Sequence, residues 1–144
     1  MSILLIAEHN NKALKPLTLN AVTAASKIDP DVHGVVIGQN SSDAAKALSE
    51  LPLVKKVIHV EAPHYENFIA ENFAPVILKL ADNYSHIVCS ANTFGKNLMP
   101  RIAAALDTSQ ISDIIKVISS DTFLRPIYAG NAFATIKVMM IKSA

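Results

Sequence analysis

The sequence predicts an α/β fold: a three-layer sandwich around a mostly parallel sheet, with antiparallel strands towards its C-terminal end. Three observations carry this. Short apolar runs of the kind buried on both faces of a parallel sheet alternate four times with segments of helical spacing. After Asp107 the apolar pattern changes to period two. No linker, internal repeat or low-complexity segment interrupts the chain, and 144 residues fit one domain that buries roughly two-thirds of its unfolded surface.

The elements follow in order. SILLIA (2–7) is the first strand, and in PLTLNAVTAASKI the residues Leu17, Ala21, Ala24, Ala25 and Ile28 line one helix face, with Pro16 suited to the first turn. VHGVVIG (32–38) is the second strand. Ser41, Ser42 and Asp43 then supply caps for a helix carrying Ala44, Ala45, Leu48 and Leu51. VKKVIHV (54–60) is the third strand, and Lys55, Lys56 and His59 make it less apolar on one face, as expected near a sheet edge. Residues 66–81 hold helical spacing in Ile69, Phe73, Val76, Ile77 and Leu80. Pro75 costs about 3 kcal/mol inside a continuous helix, which predicts a break or kink near Ala74.

HIVCSA (86–91) is the fourth strand. Its helix carries Leu98, Ile102 and Leu106, and Pro100 predicts a start at about Asn97, leaving Thr93 to Lys96 as loop. SDIIKVI (112–118), TFLRPIY (122–128) and AFATIKVMMI (132–141), separated by Ser-Ser-Asp and Ala-Gly-Asn turns, predict a strand and a following hairpin at the sheet edge. Right-handed crossovers make the sheet Rossmann-like and put any site at the strand C-termini.

Composition excludes several functions. Hydrophobic residues make up 51% of the chain and charged ones 17%, which argues against disorder and favours a protein partner. Thirteen basic and twelve acidic residues are scattered without blocks, so neither nucleic acid nor an anionic membrane is drawn to it. No apolar stretch approaches the roughly 20 residues of a membrane-spanning helix, and the N-terminus has no pattern of a cleaved signal. Cys89 is the single cysteine and sits in an apolar run, as a small core residue in a reducing compartment does. The expected setting is the cytoplasm.

Little else points to catalysis. The histidines His9, His33, His59, His64 and His86 fall in different units without metal-ligand spacing, and His9 and His86 belong to opposite edges of the sheet. There is no nucleophile elbow, P-loop or dinucleotide fingerprint. Glu8, at the C-terminal end of the first strand, sits where nucleotide-binding sheets often put polar contacts, but a lone carboxylate there is more often a solvated loop residue. TFGKNLMPRIAAAL (93–106) remains: a helix start with Lys96 and Arg101 beside it accommodates an anion, although the Arg101 stem also suits the covering of apolar surface.

These same residues carry a resemblance. LLIAEH (4–9), LTLNAVTAA (17–25), TFGKNLMPRIAAAL (93–106), ISDI (111–114) and RPIYAGNAFATIK (125–137) resemble the N-terminal domain of the electron-transfer flavoprotein alpha subunit. The resemblance covers essentially the whole chain and implies an adenine-nucleotide alpha-hydrolase type of fold. It also implies a heterodimer with a beta subunit that takes electrons from dehydrogenases of the acyl-CoA type, through FAD, and passes them to a quinone reductase. In such proteins the FAD lies in a second, C-terminal domain of the alpha subunit and AMP lies in the beta subunit. The sequence ends at Ala144, where relatives continue into that FAD domain, so no bound cofactor is expected for these residues. Eukaryotic relatives work in the mitochondrial matrix.

The resemblance turns Lys96, Asn97 and Arg101 into contacts that position the helix or reach another subunit or domain, ahead of a phosphate site. Phe94 is either a core plug or an interface anchor. Arg125, Tyr128 and Asn131 either define the turn or reach a partner. The rival is a stand-alone ATP- or AMP-binding module of the universal-stress type, against which SANTFGKN offers a single glycine where such modules have a glycine-rich loop.

Overall fold

The computed structural model describes the backbone of residues 2–90, 93–108, 110–114, 116–119, 122–124 and 138–142, with side chains over 2–90 and 94–108. Four parallel strands form its centre: β1 (Ile3–Ile6), β2 (Val32–Gly38), β3 (Val54–Glu61) and β4 (His86–Ser90). The helices are α1 (Pro16–Ile28), α2 (Ser42–Ser49), α3 (Ala70–Leu80) and α4 (Thr93–Leu106). The later strands are β5 (Gln110–Ile114), β6 (Lys116–Ser119), β7 (Thr122–Leu124) and β8 (Val138–Lys142).

Strand order in the main sheet is β3-β2-β1-β4-β8-β5. The chain runs outward from β1 to β3, then crosses back to place β4 on the other side of β1. A right-handed crossover must change face when it changes direction. Hence α1 and α2 pack with Ile3, Leu5, Val36 and Val88 on one face, while α3 and α4 pack with Leu4, Ile6, Val35, Ile37 and Ile87 on the other. All four residues of β1 are buried because it lies at the centre of this arrangement. β3 is one edge strand, with Lys55, Lys56 and His59 exposed as its sequence requires.

Both proline-containing helices depart from expectation. α3 starts at Ala70 rather than 66, after a 3-10 turn at Pro63–Tyr65, and continues through Pro75 as one element with no break at Ala74. α4 starts at Thr93, so the expected loop of Thr93 to Lys96 is its first turn and Pro100 lies well inside it. The cause is the same in each. Pro75 and Pro100 are on the exposed side, and the carbonyls they leave without a helical donor belong to exposed Glu71 and Lys96, positions open to solvation. On the inner side α4 buries Leu98, Met99 and Ile102 completely. At roughly 1.5–3 kcal/mol for each large apolar side chain, that burial exceeds the cost of one interior proline.

The terminal strands also differ. The expected strand 112–118 is two, with β5 in the main sheet and β6 paired antiparallel to β7 in a separate two-stranded ribbon. β8 is no hairpin partner at the edge. It inserts antiparallel between β4 and β5, pairing Val88 with Met140 and Ile111 with Met140. Four consecutive apolar residues, Val138 to Ile141, suit an interior strand flanked on both sides better than they suit an alternating edge.

Candidate functional site at the strand C-termini

Because β1 is followed by β2 on one side and neighboured by β4 on the other, the connections leaving β1 and β4 diverge and open a crevice at their carboxyl ends. Glu8 and His9 follow β1 there. Lys15 precedes α1, and the join is pinned by Thr18: the Glu8 N–H donates to Thr18 Oγ1 at 3.0 Å and the Thr18 hydroxyl donates to the Glu8 carbonyl at 2.9 Å. The Lys15 N–H reaches the same carbonyl at 2.9 Å. Glu8 is buried, 8% exposed, with a carboxylate oxygen 3.4 Å from Lys15 Nζ. It is therefore not the solvated loop residue its position suggested, because the turn into α1 folds over it.

His9 is fixed at both nitrogens. Nε2 lies 2.9 Å from the Ile37 carbonyl and Nδ1 accepts the Asn11 N–H at 2.9 Å, which assigns the proton to Nε2. Burial, opposed by the Ile37 hydrogen bond, holds its pKa below the usual histidine value, and His59 and Lys15 add repulsion. Asn11, with φ of 72°, links three segments, since its side chain also accepts the Gln39 N–H at 3.0 Å and donates to the Glu66 carbonyl at 3.1 Å. The Phe68 ring stands edge-on to His9 at 5.1 Å.

The start of α4 closes the other side. Phe94 is half-buried, with ring centroids 5.5 Å from Phe73 and 6.3 Å from Phe68. Gly95 is buried against the end of β4, where a Cβ would collide with the Ser90 carbonyl oxygen. Lys96 and Asn97 are exposed. Arg101 pairs with Glu71 of α3 at 2.7 Å, both side chains about half exposed. Lys96 and Arg101 are five positions apart, about 7.5 Å along the axis and on different faces, so the two do not converge on one anion. Arg125, Tyr128 and Asn131 lie outside the described residues.

Ala7, Glu8, His9, Lys15, Phe68 and Phe94 enclose a cavity of about 90 Å³. Pockets for nucleotide- or drug-sized ligands start at roughly 300 Å³. Among the described residues, two phenylalanines and a paired carboxylate thus occupy most of the crevice. Sequence reasoning singled out Phe94 here but not Phe68, Asn11 or Gly95. The Asn-Asn pair after β1 was the available signal for a tight turn, and Asn10 Oδ1 indeed accepts the N–H groups of Lys12 and Ala13.

Comparison with known proteins adds the family. The model described as "Electron transfer flavoprotein domain" matches residues 3–141. The chain is 51% identical over 137 residues to the electron transfer flavoprotein subunit alpha of Pseudomonas aeruginosa, covering 95% of this chain and 44% of that protein. It is 44% identical to the mitochondrial alpha subunit of Dictyostelium discoideum, covering 93% of this chain and 40% of the relative. The mitochondrial alpha subunit of Arabidopsis thaliana is 38% identical, with 95% and 40% covered. The chain therefore spans less than half the length of these relatives.

Proposed function

From the premise that the chain belongs to the electron transfer flavoprotein family, we propose that it serves as the N-terminal scaffold domain of an alpha subunit, docking a beta subunit and cradling a separate flavin domain. The observation that carries this is the match across residues 3–141 to less than half of each relative, together with a switch-point crevice of about 90 Å³. The residues around that crevice do not fit FAD: Phe68 and Phe94 occupy the space, and Glu8 would set a negative charge against a pyrophosphate. No electron-transfer step is therefore assigned to residues of this chain.

In this reading the assembled protein takes electrons from acyl-CoA-type dehydrogenases through FAD held elsewhere and delivers them to a quinone reductase. Phe94, Lys96, Asn97 and the rim of the crevice belong to the docking surface, and Arg101 holds α4 to α3. A cytoplasmic setting is part of the same proposal. Among the described residues no helix is long and apolar enough to cross a membrane. Calorimetric titration of the chain with FAD, AMP and ATP tests the scaffold role. The expected result is no saturable heat from any of them, and micromolar binding of FAD or an adenine nucleotide overturns it.

A further inference from the structure

At the opposite edge of the sheet, away from the switch point, a second cavity of about 310 Å³ opens where β2 and β3 begin, beneath the end of α3. Its lining divides in two. Ile58 and Leu80 are apolar, while His33, Lys56, Asn83 and Tyr84 are polar. His33 and Lys56 are register partners on adjacent strands, so both stand on the face that α3 covers.

The polar wall is built rather than incidental. Tyr84 is buried, and its hydroxyl lies 3.0 Å from His33 Nδ1. His33 Nε2 lies 3.0 Å from Asp31 Oδ1, and the Ser2 hydroxyl donates to the other Asp31 oxygen. With His33 neutral, an ionised Asp31 only accepts, so Nε2 carries the proton and the Tyr84 hydroxyl donates to Nδ1. The two rings stack edge-on at 5.4 Å and 86°, which fixes the Tyr84 face beside the cavity. Lys56 is different. It is exposed, it is the one lysine or arginine of the lining, and among the described residues it makes no ion pair.

We propose that this cavity binds a small aliphatic carboxylate, whose charged end pairs with Lys56 Nζ and accepts from the Asn83 amide while its hydrocarbon end lies on Ile58, Leu80 and the Tyr84 ring. The volume stands at the low end of the roughly 300–1,000 Å³ of small-molecule sites, and a lining with a single lysine or arginine suits a monoanionic acid better than the several charges of a nucleotide's phosphates. One cation, one amide and an apolar floor match the two ends of such a molecule. The site shares no residue with the switch-point crevice and does not depend on the scaffold reading.

Two-dimensional NMR of the chain titrated with sodium butyrate tests it. The expected result is saturable shifts at the amides of Ile58, Leu80 and Asn83, with a Kd on the order of 1 mM and no movement at His9 or Phe94. Butyramide, equal in shape but uncharged, is expected to leave the spectrum unchanged. Lys56→Gln weakens butyrate at least tenfold, and Lys56→Arg keeps it within about threefold. Shifts that fail to saturate, equal shifts from butyramide or from sulfate, or unchanged affinity in Lys56→Gln would each overturn the site. A glutamate blocked at both ends is titrated in parallel. Tighter binding of that probe than of butyrate overturns the free-acid assignment and makes the cavity a socket for a partner's side chain.

Discussion

Replacing Gly95 by alanine sets two effects of opposite sign against each other. Helix propensity alone favours alanine over glycine by about 0.8–1.0 kcal/mol within a helix. The structure opposes this, because the new methyl would overlap the Ser90 carbonyl oxygen and lie 3.2 Å from Cys89 Sγ and 3.3 Å from the Ser90 carbonyl carbon. A backbone oxygen at the end of a central strand cannot rotate aside as a side chain does, so relief requires α4 to lift from β4. Overpacking of this kind costs about 1–3 kcal/mol, and here the upper part of that range applies, leaving a net loss of about 1–2 kcal/mol. For a chain of this size that lowers Tm by roughly 3–8 °C. Urea unfolding followed by circular dichroism measures it, with exposed Ala104→Gly as the control that reports propensity alone, at about 1 kcal/mol lost. A Gly95→Ala chain as stable as the parent, or more stable, refutes the reasoning that close approach to Ser90 dictates this glycine.

Two further outcomes follow from buried titratable groups. The folded pKa of His9 lies below its ordinary 6.5, so the unfolded chain takes up the proton first; the stabilisation is fully present above about 6.5 and is lost as pH falls from there towards the folded value. Unfolding measured at neutral pH and near pH 5 is expected to show this loss, and it shrinks in His9→Gln, whose amide keeps both hydrogen-bonding roles without titrating. An unchanged pH slope in that variant contradicts the assignment. Burial pushes the Cys89 thiol up to about 12, with the Glu8 charge adding to the effect. A disulfide reagent near pH 8 should therefore modify the native chain only as fast as it unfolds, and rapid labelling of folded protein would show that the thiol is accessible.

The parallel core was legible because its signal is redundant. Buried strands such as SILLIA and VHGVVIG read as unbroken apolar runs, and the helices between them repeat at helical spacing. Edge character was equally visible in the lysines of β3. Proline was misleading. A rule about first-turn positions placed the start of α4 at Asn97, whereas the outcome depends on which side of the helix the proline faces, a tertiary fact that Pro75 and Pro100 do not announce. The position of β8 was hidden for a related reason, since insertion between β4 and β5 is a long-range pairing that no local pattern encodes. At the site, motif residues were found but their neighbours were not. Phe68 lines the crevice and Asn11 braces His9 beside it, each from a backbone conformation with positive φ, 55° and 72°, that the local pattern does not announce.

The scaffold role is tested most directly by mixing the chain with an electron transfer flavoprotein beta subunit, with no flavin domain present, and measuring the mass and visible absorbance of what elutes together. A colourless one-to-one complex is the predicted result. A chain that carries flavin colour by itself, or one that passes through unassociated while the same beta subunit captures a full-length alpha subunit, contradicts the account.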